Sequence, residues 1–215
     1  MMKTSSLPGR RLALLAAVLS AAAALPACAP LIVGGAMLGG GMVAIDRRTS
    51  GAQVEDESIE LKAGSRIGDL ATLGHVNVTS YNRLVLVTGE VPTEEDRARV
   101  EDSLRRMENV RSVVNELVVA GNSSLGNRSN DSILSAKVKA TYVDAKDLQA
   151  NAIKVVTERG IVYLMGRVTE REAGRASDLA RSVPGVLKVV RVFEVITEEE
   201  LAGLQAKPSA PVARP

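Results

Sequence analysis

The chain has 215 residues, with 27 basic against 25 acidic side chains, one cysteine, one histidine, no tryptophan, three tyrosines and one phenylalanine. So even a balance removes the basic footprint of a nucleic-acid binder, and one cysteine forbids an internal disulfide. With aromatics so sparse, the cores must be built from Val, Leu, Ile and Ala.

The first element is a leader. Lys3, Arg10 and Arg11 precede an uncharged run, Leu12 to Leu25, and Ala27 is a small residue before Cys28. This is the pattern of a secretory signal peptide, assigned to 1–27 and set aside from the fold. A leader ending Leu25-Pro26-Ala27-Cys28 resembles the lipobox of bacterial lipoproteins. That resemblance implies that Cys28 becomes the mature N-terminus and carries acyl chains, palmitate among them, on its sulfur and amine. The other reading is an ordinary secreted protein cut near Ala27, with Cys28 a free thiol. Next comes LIVGGAMLGGGMVAI over 31–45, apolar but fifteen residues long and broken by five glycines. A spanning helix needs about 20 apolar residues, so 28–54 is read as a glycine-rich tether. No Gly-Lys-Ser/Thr and no GxGxxG follows, so these glycines are not a phosphate loop.

Beyond the tether the chain repeats itself. VNVTSYNRLVLVTGEV (76–91) lies over IKVVTERGIVYLMGRV (153–168), and 93–119 lies over 169–195 after a one-residue slip at Pro92. In each copy a strand of alternating polarity, a polar turn and a β-rich run predict a hairpin. Gly89 and Gly166 are read as turns that end it. Thr93 and Thr169 each stand three residues before an acid, Asp96 and Glu172, and so predict helix starts. Val100, Leu104 and Met107 share a helical face in one copy, and Ala176, Leu179, Ala180 and Val183 do so in the other. A last strand closes each unit over 112–119 and 187–196. A helix precedes each hairpin, over about 57–70 and 131–148. Gly64 and Gly68 predict that the first of these is short or poorly formed, since glycine costs about 1 kcal/mol in a helix interior. The expected class is α+β: two tandem αββαβ units, each a three-stranded mixed sheet packed by two helices. The boundaries are 55–121 and 122–197, with a disordered tail over 198–215.

The hairpin with its glycine, the helix, and then MENVRSVVNEL or VPGVLKVVRVFEV resemble the BON domain family. Lipobox, Gly-Ala tether and two such units together resemble its double-domain outer-membrane lipoproteins. The resemblance implies a protein held at the periplasmic face of the outer membrane of a Gram-negative bacterium; Ala29 after the cysteine, rather than Asp, fits that destination. It also implies no cofactor beyond the acyl chains, and a role in envelope integrity through contact of the second domain with anionic phospholipid. Proteins of outer-membrane assembly or of septal peptidoglycan remodelling are the partners it suggests. The alternative is a periplasmic chaperone-like or protein-interaction module, as in the osmotically induced soluble members.

No catalytic constellation is legible: His75 stands alone beside a strand start, and Glu94-Glu95-Asp96 suits a helix N-terminus. The metal-ligand spacings of His, Cys and carboxylate are absent as well. The informative feature is charge. Residues 46–121 hold 10 basic and 14 acidic side chains, a net of −4, whereas 122–196 hold 12 and 8, a net of +4. At 100° per residue, Leu134, Val138, Thr141 and Tyr142 form a core stripe on the helix over 131–148. Ile133, Ala136, Ala140 and Val143 form a second one opposite, flanked by Lys137 and Lys139. Two apolar faces suit a helix that packs on a sheet and also lies on an anionic bilayer, or one that packs on the other domain.

Overall fold

The computed structural model describes residues 46–70 and 74–205. The leader, Cys28 and most of the tether lie outside them. Helix α1 spans Ser50–Leu70, β1 His75–Tyr81, β2 Leu84–Val91, α2 Glu94–Arg105 and β3 Ser112–Val119. The second copy runs α3 Leu125–Asp144, β4 Ile153–Glu158, β5 Ile161–Val168, α4 Glu170–Ser182 and β6 Lys188–Val195, followed by α5 Glu198–Gln205. Each sheet has three strands, β1-β2-β3 and β4-β5-β6, with the first pair antiparallel and the second parallel. The expected αββαβ order therefore holds in both units. The helix starts hold too: Thr93 accepts from the Asp96 N–H, and Thr169 and Glu172 form a reciprocal capping box.

Three expectations need correction. Helix α1 is neither short nor confined to 57–70; it starts at Ser50 and runs 21 residues. Gly64 and Gly68 lie on a face with nothing near them, while Ile59, Ala63 and Ile67 are buried against the sheet, and that burial offsets the glycine cost. The tether expected to reach residue 54 accordingly ends sooner. The tail expected to be disordered from 198 forms α5, where Thr197 and Glu200 bond reciprocally and Leu201 is buried; residues 206–215 lie outside the described ones. Gly89 and Gly166 are not turns. Each sits inside the central strand of its sheet, paired with Val76 and Ile153, and the strand continues for two more residues. Their φ angles are +115° and +158°. A Cβ there would overlap the carbonyl oxygen of His75 or of Ala152, so only glycine lets the neighbouring strand start so close.

The hairpin turns are the two-residue kind with positive φ, at Asn82-Arg83 and Arg159-Gly160. A buried aspartate on the preceding helix holds each one. Asp56 accepts from the N–H of Asn82 and of Arg83, both at 2.7 Å, and Asp131 from Arg159 and Gly160, both at 2.8 Å. Burial works against the Asp56 carboxylate, but its bonds from Ser80, Arg83, Arg48 and Asn82 outweigh that and hold its pKa below the ordinary value.

The central strands β2 and β5 are buried along almost their whole length because both faces are covered. Val85, Val87 and Val91 face α1 and α2, while Val162, Leu164 and Val168 face α3 and α4. The opposite faces meet each other: Tyr81 and Leu86 of the first unit pack with Tyr163, Met165 and Val192 of the second. Helices thus flank two stacked sheets, and the apolar inter-domain contact is made by strands.

Candidate functional site

Helix α3 opens with Ser124 accepting from the Asn127 N–H, six residues earlier than the spacing predicts. Leu134, Val138 and Tyr142 on its inner face are buried, with the Tyr142 hydroxyl donating to the Ala176 carbonyl at 2.9 Å. Thr141, expected beside them, is half-buried. The outer stripe is open: Ile133, Ala136, Lys137, Lys139, Ala140 and Val143 are all exposed, Ile133 at 54% and Val143 at 71%. Since the domains join through their sheets, this stripe is not inter-domain packing. Lys137 and Lys139 make no ion pair among the described residues.

The early start of the helix adds a residue that the sequence reading missed. Leu125, 80% exposed, stands eight positions before Ile133 and in line with Ala136 and Val143 at 100° per residue. Ser124 followed by Leu125-Gly126-Asn127 was the available signal for it, as a serine N-cap.

The charge contrast between the two halves is not consumed where they touch. Among the described residues four ion pairs cross the junction: Arg47–Glu172 at 2.7 Å, Arg111–Glu194 at 2.8 Å, Lys154–Glu60 at 2.7 Å and Arg159–Glu90 at 3.2 Å. Two place the base in the first half and two in the second, so they cancel. The excess of positive charge in the second half is left at its surface.

Arg47 is the other residue the sequence reading missed. It is buried, makes a two-bond fork to Glu172 at 2.7 and 2.8 Å, and donates to the Arg167 carbonyl at 2.8 Å. The chain leaving the tether is therefore seated on the second unit before it builds the first. Arg48 beside it stacks 4.4 Å from the Tyr81 ring centre and pairs with Asp46 and Asp56.

No group of three or more His, Cys, Asp or Glu side chains among the described residues is arranged to hold a metal ion, and no described helix is long and apolar enough to cross a membrane. His75 lies on edge strand β1 with its ring nitrogen 3.2 Å from the Asn77 amide. Partial burial and the charge of Arg128 lower its pKa.

Two αββαβ units stacked through their sheets, each with an aspartate-held hairpin, define a tandem pair of small α+β domains. The BON domain pattern matches residues 55–121 and 130–197, and the chain belongs to that family. It is 36% identical over 186 residues to the outer membrane lipoprotein DolP of Haemophilus influenzae, covering 85% of this chain and 95% of that protein. A 21 kDa hemolysin of Actinobacillus pleuropneumoniae is 30% identical over 155 residues, 71% of this chain and 80% of the relative. Osmotically-inducible protein Y of Escherichia coli matches more narrowly, 37% over 68 residues, 31% of this chain and 34% of that one. The outer-membrane localisation read from the leader agrees with the first of these relatives.

Proposed function

We propose that this protein is a non-enzymatic outer-membrane lipoprotein whose second BON domain binds anionic phospholipid at the periplasmic face and so helps to maintain the envelope. The observation that carries this is the open outer stripe of α3. A helix that packs on a sheet needs only one apolar face; this one keeps a second in solvent, edged by lysines without acidic partners among the described residues. Each lysine near an anionic surface is worth about 1 kcal/mol, and the attraction fades within a Debye length of about 10 Å at 0.1 M salt. Acyl chains on Cys28 would supply the anchoring, leaving the domain free to select its lipid. Partners in outer-membrane assembly or septal peptidoglycan remodelling belong to the same proposal.

Ile133→Glu is expected to weaken co-sedimentation of the unlipidated mature chain with anionic vesicles at least several-fold, with the melting temperature nearly unchanged because Ile133 is exposed. Added salt is expected to weaken wild-type binding. Mutant binding equal to wild type would remove the stripe as the membrane site and favour the protein-interaction module instead. For the anchor, Cys28→Ser is expected to abolish incorporation of labelled palmitate in cells and to shift the protein out of the outer-membrane fraction. Equal label in both forms would end the lipoprotein assignment.

A further inference from the structure

Beside the outer stripe lies an open cleft of about 840 Å³. Its walls come from four places: the first half of α3, the hairpin turn Arg159-Gly160, the loop Pro184 to Leu187, and the linker 121–124. Ile133 and Leu187 both line it. Leu187 is 79% exposed, although its surroundings hold it firmly. Its N–H donates to the Gly160 carbonyl at 2.9 Å, and its side chain lies over Gly160, where a Cβ would come within 2.9 Å of Cδ1. A large apolar side chain fixed in place and left in water is an unpaid hydrophobic surface, the more so when a second one lines the same cleft.

The charges around the cleft are positive where they are free. Lys137 lines it and makes no ion pair among the described residues. The carboxylate in the wall, Asp131, is committed to the N–H groups of Arg159 and Gly160, and the Arg159 guanidinium is committed to Glu90.

We propose that the second domain grips an anionic phospholipid surface at two points rather than one. Ile133 on α3 and Leu187 on the loop before β6 enter the acyl boundary together, and the cleft that both line receives a headgroup phosphate against Lys137. This rests on the reading of α3 as the membrane-facing helix and adds the loop as a second contact. Two points fix the domain's tilt, which one helix lying on a surface leaves free to roll. The occupant is a lipid surface because two exposed apolar side chains at a cleft lined by Lys137, on a domain of net charge +4, complement acyl chains below anionic phosphates.

The chain has no tryptophan, so a single one is an unambiguous reporter. Ile133→Trp, Leu187→Trp and, as a control on the first domain, Leu61→Trp are each made in the mature chain with Cys28→Ala. Each is titrated with phosphatidylglycerol and with phosphatidylcholine vesicles. The expected result is a blue shift at 133 and at 187 with phosphatidylglycerol, little with phosphatidylcholine, and none at 61. Leu187→Ser is expected to lower vesicle affinity about three- to ten-fold, the worth of burying part of one leucine, without changing the melting temperature. A shift at 133 but not at 187 overturns the two-point grip and leaves the helix contact standing. A shift at neither overturns the lipid reading itself. Equal shifts on both vesicle types overturn the phosphate site.

Discussion

Gly89→Ala and Gly166→Ala are each expected to destabilise the protein by about 3–5 kcal/mol, adding backbone strain of about 1–3 kcal/mol to overpacking of about the same size. At Gly89 both terms act: φ is +115°, and the new Cβ would overlap the His75 carbonyl carbon and oxygen. At Gly166 the backbone is nearer to extended, and the collision with the Ala152 carbonyl oxygen dominates. Neither carbonyl can retreat, because each belongs to the chain that starts the neighbouring strand of the sheet. A domain pair of this size loses about 2–4 °C per kcal/mol, so a fall of about 10 °C in thermal denaturation by circular dichroism is the expected reading. A melting point within about 2 °C of wild type would show that these sheets can open where the glycines sit. Both changes should also lower the steady-state amount of protein in cells, since the unfolded fraction is what proteases remove.

Breaking the buried pair Arg47–Glu172 is the second large effect expected. The two side chains are 3% and 6% exposed, and losing either leaves the other charged and dry. Such a loss costs about 3–5 kcal/mol. Glu172→Ala also removes the back-bond to the Thr169 N–H, at 3.0 Å, and should be the worse of the two. The double variant Arg47→Ala/Glu172→Ala is expected to fall well short of the sum of the singles, because the second change strands nothing new. Additive losses would mean that the pair is not coupled. The same carboxylate sets an acid limit. Burial opposes its charge, but the bonds from Arg47 and Thr169 and the Arg47 charge prevail, so its pKa lies below that of an unfolded glutamate. Asp56 and Glu194 are held down in the same sense. A depressed folded pKa gives stability that is complete above the unfolded value, near 4, and is lost as pH falls through the folded one. Stability to urea should therefore fall steeply below about pH 4, and the Glu172→Ala variant should show a shallower slope there.

The pair also carries a consequence for the anchor. Arg47 is 19 positions after Cys28, a span of at most about 65 Å when extended. If Cys28 is acylated as proposed, seating Arg47 on the second domain keeps that anchor within this reach of the domain that bears the α3 stripe.

What the sequence determined by itself is the set of features that neighbours in the chain decide. The duplication, the αββαβ order and the Thr93 and Thr169 caps are all local patterns of period two, period 3.6 or three-residue spacing. The two-faced character of α3 was equally legible, because a helix places residues three and four apart together whatever surrounds it. Tertiary structure alone decided the rest. Gly89 and Gly166 read as turns, since local signals cannot tell a chain reversal from the close approach of a neighbouring strand. Gly64 and Gly68 read as helix breakers, since propensity ignores the burial of Ile59, Ala63 and Ile67 beneath them. Tyr81 against Tyr163, Arg47 against Glu172 across 125 positions, and Leu187 in one cleft with Ile133 had no local signature at all. Each joins segments far apart in the chain, and their meeting depends on how two finished sheets stack, a free energy that no short window of residues contains.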